Sequence, residues 1–314
     1  MRIWTSIAAA AAVAVAAAAP VKAETFINIL TGGQSGVYYP LGVALESVFA
    51  EAVPDARPSV QSTKASVENL NLLQQAKGEI AFTLGDSLAF AVEGNADVGF
   101  AQPLDKLRTL AAIYPNYIQI VASEESGIRT LEDLRGKRLS VGAPKSGTEL
   151  NARAVLGAAG ISYEDLGKVE YLPFAESVEL IKNRQLDATL QSAGLGVASI
   201  RDLAASVPIS VVEIPASVVE SIGSPYQAAT IPAGTYEGQD TDVATAAIQN
   251  YLVTSADVPD DVVYAMTKAV FENLDNLVAA HAAAKGISLE QAAKSPPAPL
   301  HSGSERYYQE QNAL

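Results

Sequence analysis

Two stretches of this sequence share one layout: a short apolar strand, a Gly-rich loop and an amphipathic helix. The first loop is residues 31–36 (TGGQSG) and the second is residues 142–147 (GAPKSG), and each ends in Ser-Gly where a helix is expected to begin. Around both loops, β-rich runs alternate with helical patterns, which is the order that produces parallel sheets covered by helices. A chain with two such starts is predicted to have an α/β fold with two lobes.

Three segments of the chain are predicted to form these lobes. Residues 24–122 and 228–314 are assigned to lobe I, and residues 123–227 are assigned to lobe II. The chain would cross between the lobes near residues 121–126 and 226–232, and these crossings are expected to act as a hinge for closure. The length also favours two lobes, because a single hydrophobic core rarely grows to this size.

The first 23 residues have the pattern of a secretory signal peptide. Arg2 is followed by an Ala/Val-rich stretch, and small residues precede a cleavage site after Ala23. The apolar run is shorter than the ~20 residues that span a bilayer, so cleavage is favoured over a retained membrane anchor. The mature protein, residues 24–314, is therefore predicted to be periplasmic.

Composition excludes several classes of function. The chain has no cysteine and a formal net charge of −14, and the signal peptide removes only basic charges. Thiol catalysis, Cys-ligated zinc and disulfides are excluded, and neither nucleic acid nor an anionic membrane surface is an expected partner. The two histidines, His281 and His301, lack metal-ligand spacing, so we expect no metal and no cofactor. We also expect a monomer.

The paired Ser-Gly loops are candidate ligand sites. Ligands of open α/β sheets bind at the carboxyl ends of the strands, and a helix N-terminus there attracts anions. Two loops facing each other across a cleft would hold a small anionic solute from both sides. The alternative is that Gly and Ser only form tight turns.

Four separated segments together resemble one family of receptors. They are residues 31–42 (TGGQSGVYYPLG), 62–70 (STKASVENL), 258–264 (VPDDVVY) and 299–308 (PLHSGSERYY). In this order they are similar to the TAXI solute receptors of TRAP (tripartite ATP-independent periplasmic) transporters. The resemblance implies a type II periplasmic binding protein fold with the ligand in the interlobe cleft and delivery to a sodium-coupled TRAP permease. It also implies a ligand such as glutamate, 2-oxoglutarate or a similar dicarboxylate.

The resemblance implies ligand contacts from both lobes. For Tyr38, the alternative to ligand contact is packing. For Thr63 and Ser66, the alternative is capping of a helix. For Asp86, capping of a helix is favoured over binding a ligand amine. The candidates are Ser35, Gly36, Tyr38, Thr63, Ser66 and Asp86 in lobe I, and Ser146, Gly147, Thr148, Asn151, Gln191 and Ser192 in lobe II.

Two lysines next to these loops are further candidates. Lys64 and Lys145 would place ammonium groups near the ligand, which suits a dianion because charge-assisted hydrogen bonds are strong. The alternative is that both side chains are solvated at the rim of the cleft.

Two other functions are compatible with the same fold. An enzyme would need a nucleophile or an acid–base pair, and the sequence supplies neither a Ser-His-Asp order nor an activated thiol. A receptor for an ATP-driven importer of sulfonates, nitrate or a thiamine precursor is the stronger alternative, because residues 130–137 (TLEDLRGK) are shared with such receptors.

Overall fold

The structure, a computed structural model, describes residues 24–314 of the chain. The predicted signal peptide, residues 1–23, lies outside the described residues. The strands are β1 (Thr25–Leu30), β2 (Ala56–Gln61), β3 (Ile80–Leu84), β4 (Leu107–Ser123), β5 (Arg138–Ser140), β6 (Lys168–Glu170), β7 (Ala188–Ala193), β8 (Ile209–Val212), β9 (Gln227–Ile231) and β10 (Val243–Ser255).

The helices lie mostly between consecutive strands, as the alternating pattern predicts. They are α1 (Tyr38–Ala52), α2 (Ser66–Gln74), α3 (Gly85–Glu93), α4 (Gly147–Ala158), α5 (Phe174–Lys182), α6 (Ala198–Ser206), α7 (Ala216–Ile222), α8 (Asp260–Glu272), α9 (Leu274–Ala280), α10 (Leu289–Ala292) and α11 (Ser302–Glu310). The segment of residues 130–137 contains a 3₁₀ turn, Glu132–Leu134.

The ten strands have the order β2-β1-β3-β10-β4-β7-β5-β6, with β8 paired to β4 and β9 paired to β10. Strands β1, β2 and β3 are parallel at one end of this order, and β5, β6 and β7 are parallel at the other. Each parallel group with its helices forms one lobe. The predicted α/β fold with two lobes and an interlobe cleft is confirmed.

Two long antiparallel strands, β4 and β10, connect the lobes. One half of each pairs within lobe I, where Leu252 of β10 is opposite Phe82 of β3. The other half pairs within lobe II, where β4 from Tyr117 onward is opposite β7. The strands therefore pass between the lobes near residues 113–117 and 247–250. The boundaries at 122/123 and 227/228 stay a prediction; the first lies five residues from its passage and the second lies nineteen residues from its passage.

Apolar packing stabilises both lobes. One buried cluster lies in lobe II and includes Leu139, Val155 and Leu190, while another lies in lobe I and includes Leu70 and Phe100. A third cluster contains residues of both lobes and extends to the C-terminal helices. The first two clusters thus give each lobe a core of its own, whereas the third cluster is shared between the lobes.

The C-terminal segment returns to lobe I and is fixed there by buried polar contacts. Nδ1 of His301 accepts a hydrogen bond from the Gly303 N–H at the start of α11, at 3.1 Å, and Nε2 lies 3.1 Å from the Val258 carbonyl. Burial lowers the pKa of His301, which favours the neutral ring that this pair of contacts needs. The Tyr308 hydroxyl donates to the Leu110 carbonyl of β4 at 2.7 Å.

Candidate functional site

A cavity of about 260 Å³ lies between the two lobes. Nine of the residues predicted from the sequence line it, namely Gly36, Tyr38, Thr63, Lys64, Ser66, Ser146, Gly147, Thr148 and Ser192. The other lining residues were not named individually as candidates, although three of them belong to the two Ser-Gly loops. The loop residues are Gly32, Gly33 and Ala143, and the others are Val37, Ser62, Ala65, Leu84, Asn116, Pro173, Phe174 and Ala193. The cavity thus lies where the two Ser-Gly loops face each other.

Three helices begin at the cavity. Tyr38 is the first residue of α1, Ser66 is the first residue of α2 and Gly147 is the first residue of α4, and all three line the cavity. The first turns of these helices carry N–H groups without helical partners, and their dipoles place positive potential at the cavity. Such an arrangement favours an anionic group.

The loop of lobe II is shaped by the start of α4. The Ser146 Oγ accepts a hydrogen bond from the Glu149 N–H at 3.2 Å and so caps the helix. Gly147 lies directly against lobe I, because a methyl group at this position would be 2.6 Å from the Ser66 Oγ and 2.6 Å from the Leu84 Cδ1. The lobes are therefore in close contact at this wall of the cavity.

Tyr38 packs in the core of lobe I and also lines the cavity. Its ring stacks on Phe82 with the centroids 5.0 Å apart, which is packing, while the residue also lines the cavity. Its hydroxyl donates to the Oδ1 of Asn250 on β10. Burial, together with the nearby Asp86, raises the pKa of Tyr38 far above its usual value, so the phenol is neutral.

Thr63 mainly supports the backbone of its own loop. Its Oγ1 lies 2.6 Å from the Asn69 Oδ1 and accepts a hydrogen bond from the Ala65 N–H at 2.9 Å. The amide nitrogen of Asn69 donates to the carbonyls of Thr31 and Phe82, so its oxygen must face Thr63. These contacts hold Ala65 at φ 70° and ψ −175°, a conformation that is strained for a residue with a side chain.

The two lysines differ in position. Lys64 is exposed and lines the cavity, whereas Lys145 is exposed outside the set of lining residues. The backbone of Lys145 contributes to the contact between the lobes, because its carbonyl accepts a hydrogen bond from the Glu68 N–H at 3.3 Å. Among the lining residues, all of which belong to the described part of the chain, Lys64 is the one charged side chain.

Asp86 does not cap α3 and does not line the cavity. It is 1% exposed, and its Oδ2 accepts hydrogen bonds at 2.7 Å from both the Asn151 amide and the Tyr226 hydroxyl, two residues of lobe II. Burial raises the pKa of Asp86, although the hydrogen bonds from Tyr226, Ser87 and Asn151 act in the opposite direction. The carboxyl group thus connects the lobes behind the cavity wall.

The remaining candidates also lie outside the lining. Asn151 is fully buried and accepts a hydrogen bond from the Ser192 hydroxyl at 2.6 Å. Gln191 precedes Ser192 on β7 and therefore points to the opposite face of the sheet, where its Oε1 accepts from Ser199 at 2.6 Å. Ser35 contributes its carbonyl, which accepts a 3.4 Å hydrogen bond from the Ser199 N–H of lobe II.

Two lining residues that the sequence interpretation missed are informative. Strand β6 ends at Glu170, and Pro173 and Phe174 form the turn into α5. The Phe174 ring reaches the first loop, since a methyl group at Gly36 would be 3.9 Å from it. A Pro that follows a short strand at the carboxyl edge of the sheet is a signal that could have located this turn.

Asn116 lies where β4 passes between the lobes, and it links Ser192 of the cavity wall to Asn250 of β10. Its Nδ2 donates to the Ser192 carbonyl at 3.0 Å, and its Oδ1 accepts from the Asn250 amide at 2.8 Å. The Asn250 Oδ1 accepts in turn from Tyr38. A continuous set of polar contacts therefore runs from α1 across both connecting strands to β7.

Two further features of the described residues, 24–314, bear on the site. They contain no group of three or more His, Cys, Asp or Glu residues arranged to hold a metal ion. Within the same residues, no helix has the length and apolar character needed to cross a membrane.

Comparisons with known proteins support the fold. Residues 29–311 match the model of a family described as the NMT1-like family. PhnD1 from Prochlorococcus marinus, solved with methylphosphonate, is similar at a TM-score of 0.59 and 10% identity over 92% of this chain and 99% of that one. A binding protein component of an ABC phosphonate transporter from Pseudomonas aeruginosa is similar at a TM-score of 0.56 and 11% identity over 85% and 80% of the two chains.

A third similar structure is the alkanesulfonate-binding protein SsuA from Xanthomonas axonopodis pv. citri, bound to MOPS. Its TM-score is 0.50 and its identity is 16%, over 92% of this chain and 85% of that one. At these identities the likeness shows a common fold, the mixed α/β fold of periplasmic solute-binding proteins. None of these three structures is named as a TAXI receptor, so that resemblance stays a prediction.

Proposed function

The chain belongs to the NMT1-like family, and we propose that it is a periplasmic solute-binding protein that captures a small organic anion between its lobes. The observation that carries this proposal is the convergence of the starts of α1, α2 and α4 on one interlobe cavity. N–H groups and helix dipoles from both lobes then act on the same bound group. Binding is all that we propose for this site, and catalysis is not part of it.

The charges around the cavity favour a solute with one anionic group over a dicarboxylate. Lys64 lines the cavity and Lys145 does not, so the pair of ammonium groups that would suit a dianion is not assembled. A monoanion needs only the helix starts and one cation. A sulfonate, a phosphonate or a single carboxylate has this character.

The rest of the solute would contact apolar side chains. Val37 and Leu84 line the cavity from lobe I, and Pro173 and Phe174 line it from lobe II. Binding sites commonly combine a few polar groups that fix orientation with apolar walls that supply burial. A short carbon skeleton next to the anionic group matches this lining.

For the membrane partner we favour an ATP-driven importer. Of the similar structures, one is named as a component of an ABC phosphonate transporter and another as an alkanesulfonate-binding protein. The alternative is a sodium-coupled TRAP permease with a dicarboxylate such as glutamate or 2-oxoglutarate, which the resemblance to TAXI receptors implies. Solute uptake in cells distinguishes the two, since vanadate inhibits an ATP-driven importer and removal of sodium stops a TRAP permease.

The binding proposal is tested with a panel of solutes. The protein is unfolded and refolded to remove carried ligand, and its thermal midpoint is measured with sulfonates, phosphonates, monocarboxylates, dicarboxylates and neutral sugars. A ligand at 100 times its Kd adds about 2.7 kcal/mol to the free energy of unfolding, which gives a clear shift. We expect shifts with monoanions. A shift with sugars alone would refute the anion proposal.

A double substitution then localises the anionic group. Ser146→Ala with Thr148→Ala removes two hydroxyls from the α4 loop, and each lost hydrogen bond corresponds to about 1 to 1.5 kcal/mol. We expect the Kd to rise by one to two orders of magnitude, or ~10- to ~100-fold, without a loss of folding. Unchanged affinity would mean that the lobe II loop is not the site.

Export is tested separately. Recovery of the protein from the periplasmic fraction with Glu24 as its first residue is the expected result. An intact N-terminus in the membrane fraction would contradict the proposed cleavage.

A further inference from the structure

Ser192 is a cavity residue for which the position of the hydroxyl proton follows from its contacts. The residue is 6% exposed, and its Oγ lies 2.6 Å from the Oδ1 of Asn151. A serine hydroxyl has one proton to donate and two lone pairs that accept. If Ser192 donates to Asn151, only lone pairs are left for a solute.

Asp86 determines which end of the Asn151 amide faces Ser192. The Nδ2 of Asn151 is 2.7 Å from the Asp86 Oδ2 and 2.9 Å from the Tyr226 hydroxyl oxygen, and the Tyr226 proton goes to Asp86. The Ser87 N–H donates to the other carboxyl oxygen at 2.6 Å. Because each of these groups donates to Asp86, a carboxylate fits the position. The Asn151 nitrogen must then face Asp86, and its oxygen must face Ser192.

The hydroxyl of Tyr38 has no free proton either. The Nδ2 of Asn250 donates to the Tyr114 carbonyl at 2.8 Å, which fixes the orientation of that amide. Its Oδ1 therefore faces Tyr38, and Tyr38 donates to it. Tyr38 therefore offers the solute no proton, and Ser192 is the acceptor on this wall.

The start of α4 has the opposite character. The Ser146 Oγ accepts from the Glu149 N–H, so the Ser146 proton is free to donate, and the N–H groups of the first turn have no helical partners. The cavity consequently has a donor side at α4 and an acceptor side at Ser192.

We propose that Asp86, acting through Asn151, holds Ser192 as a hydrogen-bond acceptor, so that the solute must carry a hydrogen-bond donor close to its anionic group. This inference rests on the proposed function and narrows its substrate class. Ammonium and hydroxyl groups are the donors that fit. Asp86 is a positioning residue here, since it does not itself line the cavity.

The position of Asn151 on α4 indicates a short solute. Asn151, which contacts Ser192, follows Thr148 by three residues on α4, and a helix rises about 1.5 Å per residue. Asn151, the residue that orients Ser192, therefore lies about one turn, ~5 Å, along α4 from Thr148. An amino acid, an aminosulfonate or an aminophosphonate with a few bonds between its two groups matches this spacing.

The contacts also depend on lobe closure. Asp86 belongs to lobe I, whereas Asn151, Ser192 and Tyr226 belong to lobe II. The acceptor at Ser192 is therefore fixed only when the lobes are together, which links solute selection to closure.

Matched pairs of solutes test the inference on the unmodified protein. Isothermal titration calorimetry compares taurine with ethanesulfonate, 2-aminoethylphosphonate with ethylphosphonate, and alanine with propionate. We expect the amine-bearing member of each pair that binds to be at least ~10-fold tighter, as is typical of a hydrogen bond to a charged group.

Variants then assign the preference to particular residues. Ser192→Ala removes the acceptor, so the affinity ratio within a pair should fall toward 1. Asp86→Asn lets the Asn151 amide turn over and frees the Ser192 proton, so the same ratio should fall while the affinity for the amine-free anion rises. Ser199→Ala is the matched control, since this buried serine donates to Gln191 beside Ser192, and the ratio should stay as in the unmodified protein.

The outcomes are distinguishable. If no anion in the panel binds, the proposed function fails and this inference fails with it. If both members of each pair bind equally well, the proposed function stands and the donor requirement is overturned. If the amine is preferred but Ser192→Ala retains the preference, the role of Ser192 and Asp86 is overturned, and this holds even when Asp86→Asn does not fold.

Discussion

Substituting Gly147 by Ala tests whether the lobes must close to the observed contact when solute binds. A methyl group at Gly147 would be 2.6 Å from the Leu84 Cδ1, 2.6 Å from the Ser66 Oγ and 2.9 Å from the Ser66 Cβ. Non-bonded carbon atoms pack at about 3.5 to 4.0 Å. To reach the ordinary packing distance, the two lobes of the variant must therefore be separated at this wall by roughly 1 Å more than in the unmodified protein.

The size of the effect follows from the overlap. Forcing an extra methyl group into a packed contact opposes it by about 1 to 3 kcal/mol. If closure and binding are coupled, this raises the Kd by about 5- to 150-fold. The open form lacks the contact, and Ala is favoured over Gly in helices by up to about 1 kcal/mol, so the stability of the solute-free protein should not fall.

Calorimetry with the tightest solute of the panel measures the change in Kd, and small-angle scattering measures closure. Gly157→Ala is the control, because it lies on the same helix and has no atom within 4 Å of the added methyl group. We expect Gly157→Ala to bind as the unmodified protein does. The reasoning is refuted if Gly147→Ala binds as tightly as Gly157→Ala.

Three further substitutions have defined outcomes. Ala65→Gly should raise the free energy of unfolding, measured by urea denaturation, by about 1 kcal/mol, because glycine adopts φ 70° and ψ −175° without strain. A decrease in the free energy of unfolding would show that the backbone at Ala65 is not strained. Phe174→Ala should raise the Kd by about 10-fold through lost apolar burial, and unchanged affinity would remove this ring from the site. Asp187→Asn tests the pH dependence of stability. Hydrogen bonds from Arg138 hold the pKa of Asp187 below its usual value of 3.8. The ion pair therefore stabilises lobe II above about pH 4, and this contribution is lost as the pH falls. The variant should therefore be less stable than the unmodified protein at pH 7, with the difference shrinking below pH 4, and an equal difference at both pH values would contradict this role.

The strand–helix alternation was sufficient to predict most of the fold. The apolar face that includes Val67, Leu70 and Leu73 is buried on α2. Met266 and Val270, four residues apart, are buried on α8 in the same way. Local patterns succeed here because each element buries one face against its own lobe.

The connecting strands were not predictable in the same way. β4 contains Pro115 at its centre, and the first half of β10 is Ala-rich, so neither has the pattern of a long strand. Their extended conformation comes from pairing with each other, with β3 in lobe I and with β7 in lobe II. Such pairs join residues at least 66 positions apart, which local propensity does not encode.

The sequence by itself determined the two lobes and the loops at which the helices begin, because periodicity and Gly-Ser turns act over a few residues. It did not determine that Asn116 and Phe174 line the cavity, or that Asp86 contacts Asn151 and Tyr226 rather than capping its own helix. Only the tertiary structure decided these contacts. The physical reason is that a buried polar group must find a partner wherever the closed lobes place one, and that partner comes from a distant part of the chain.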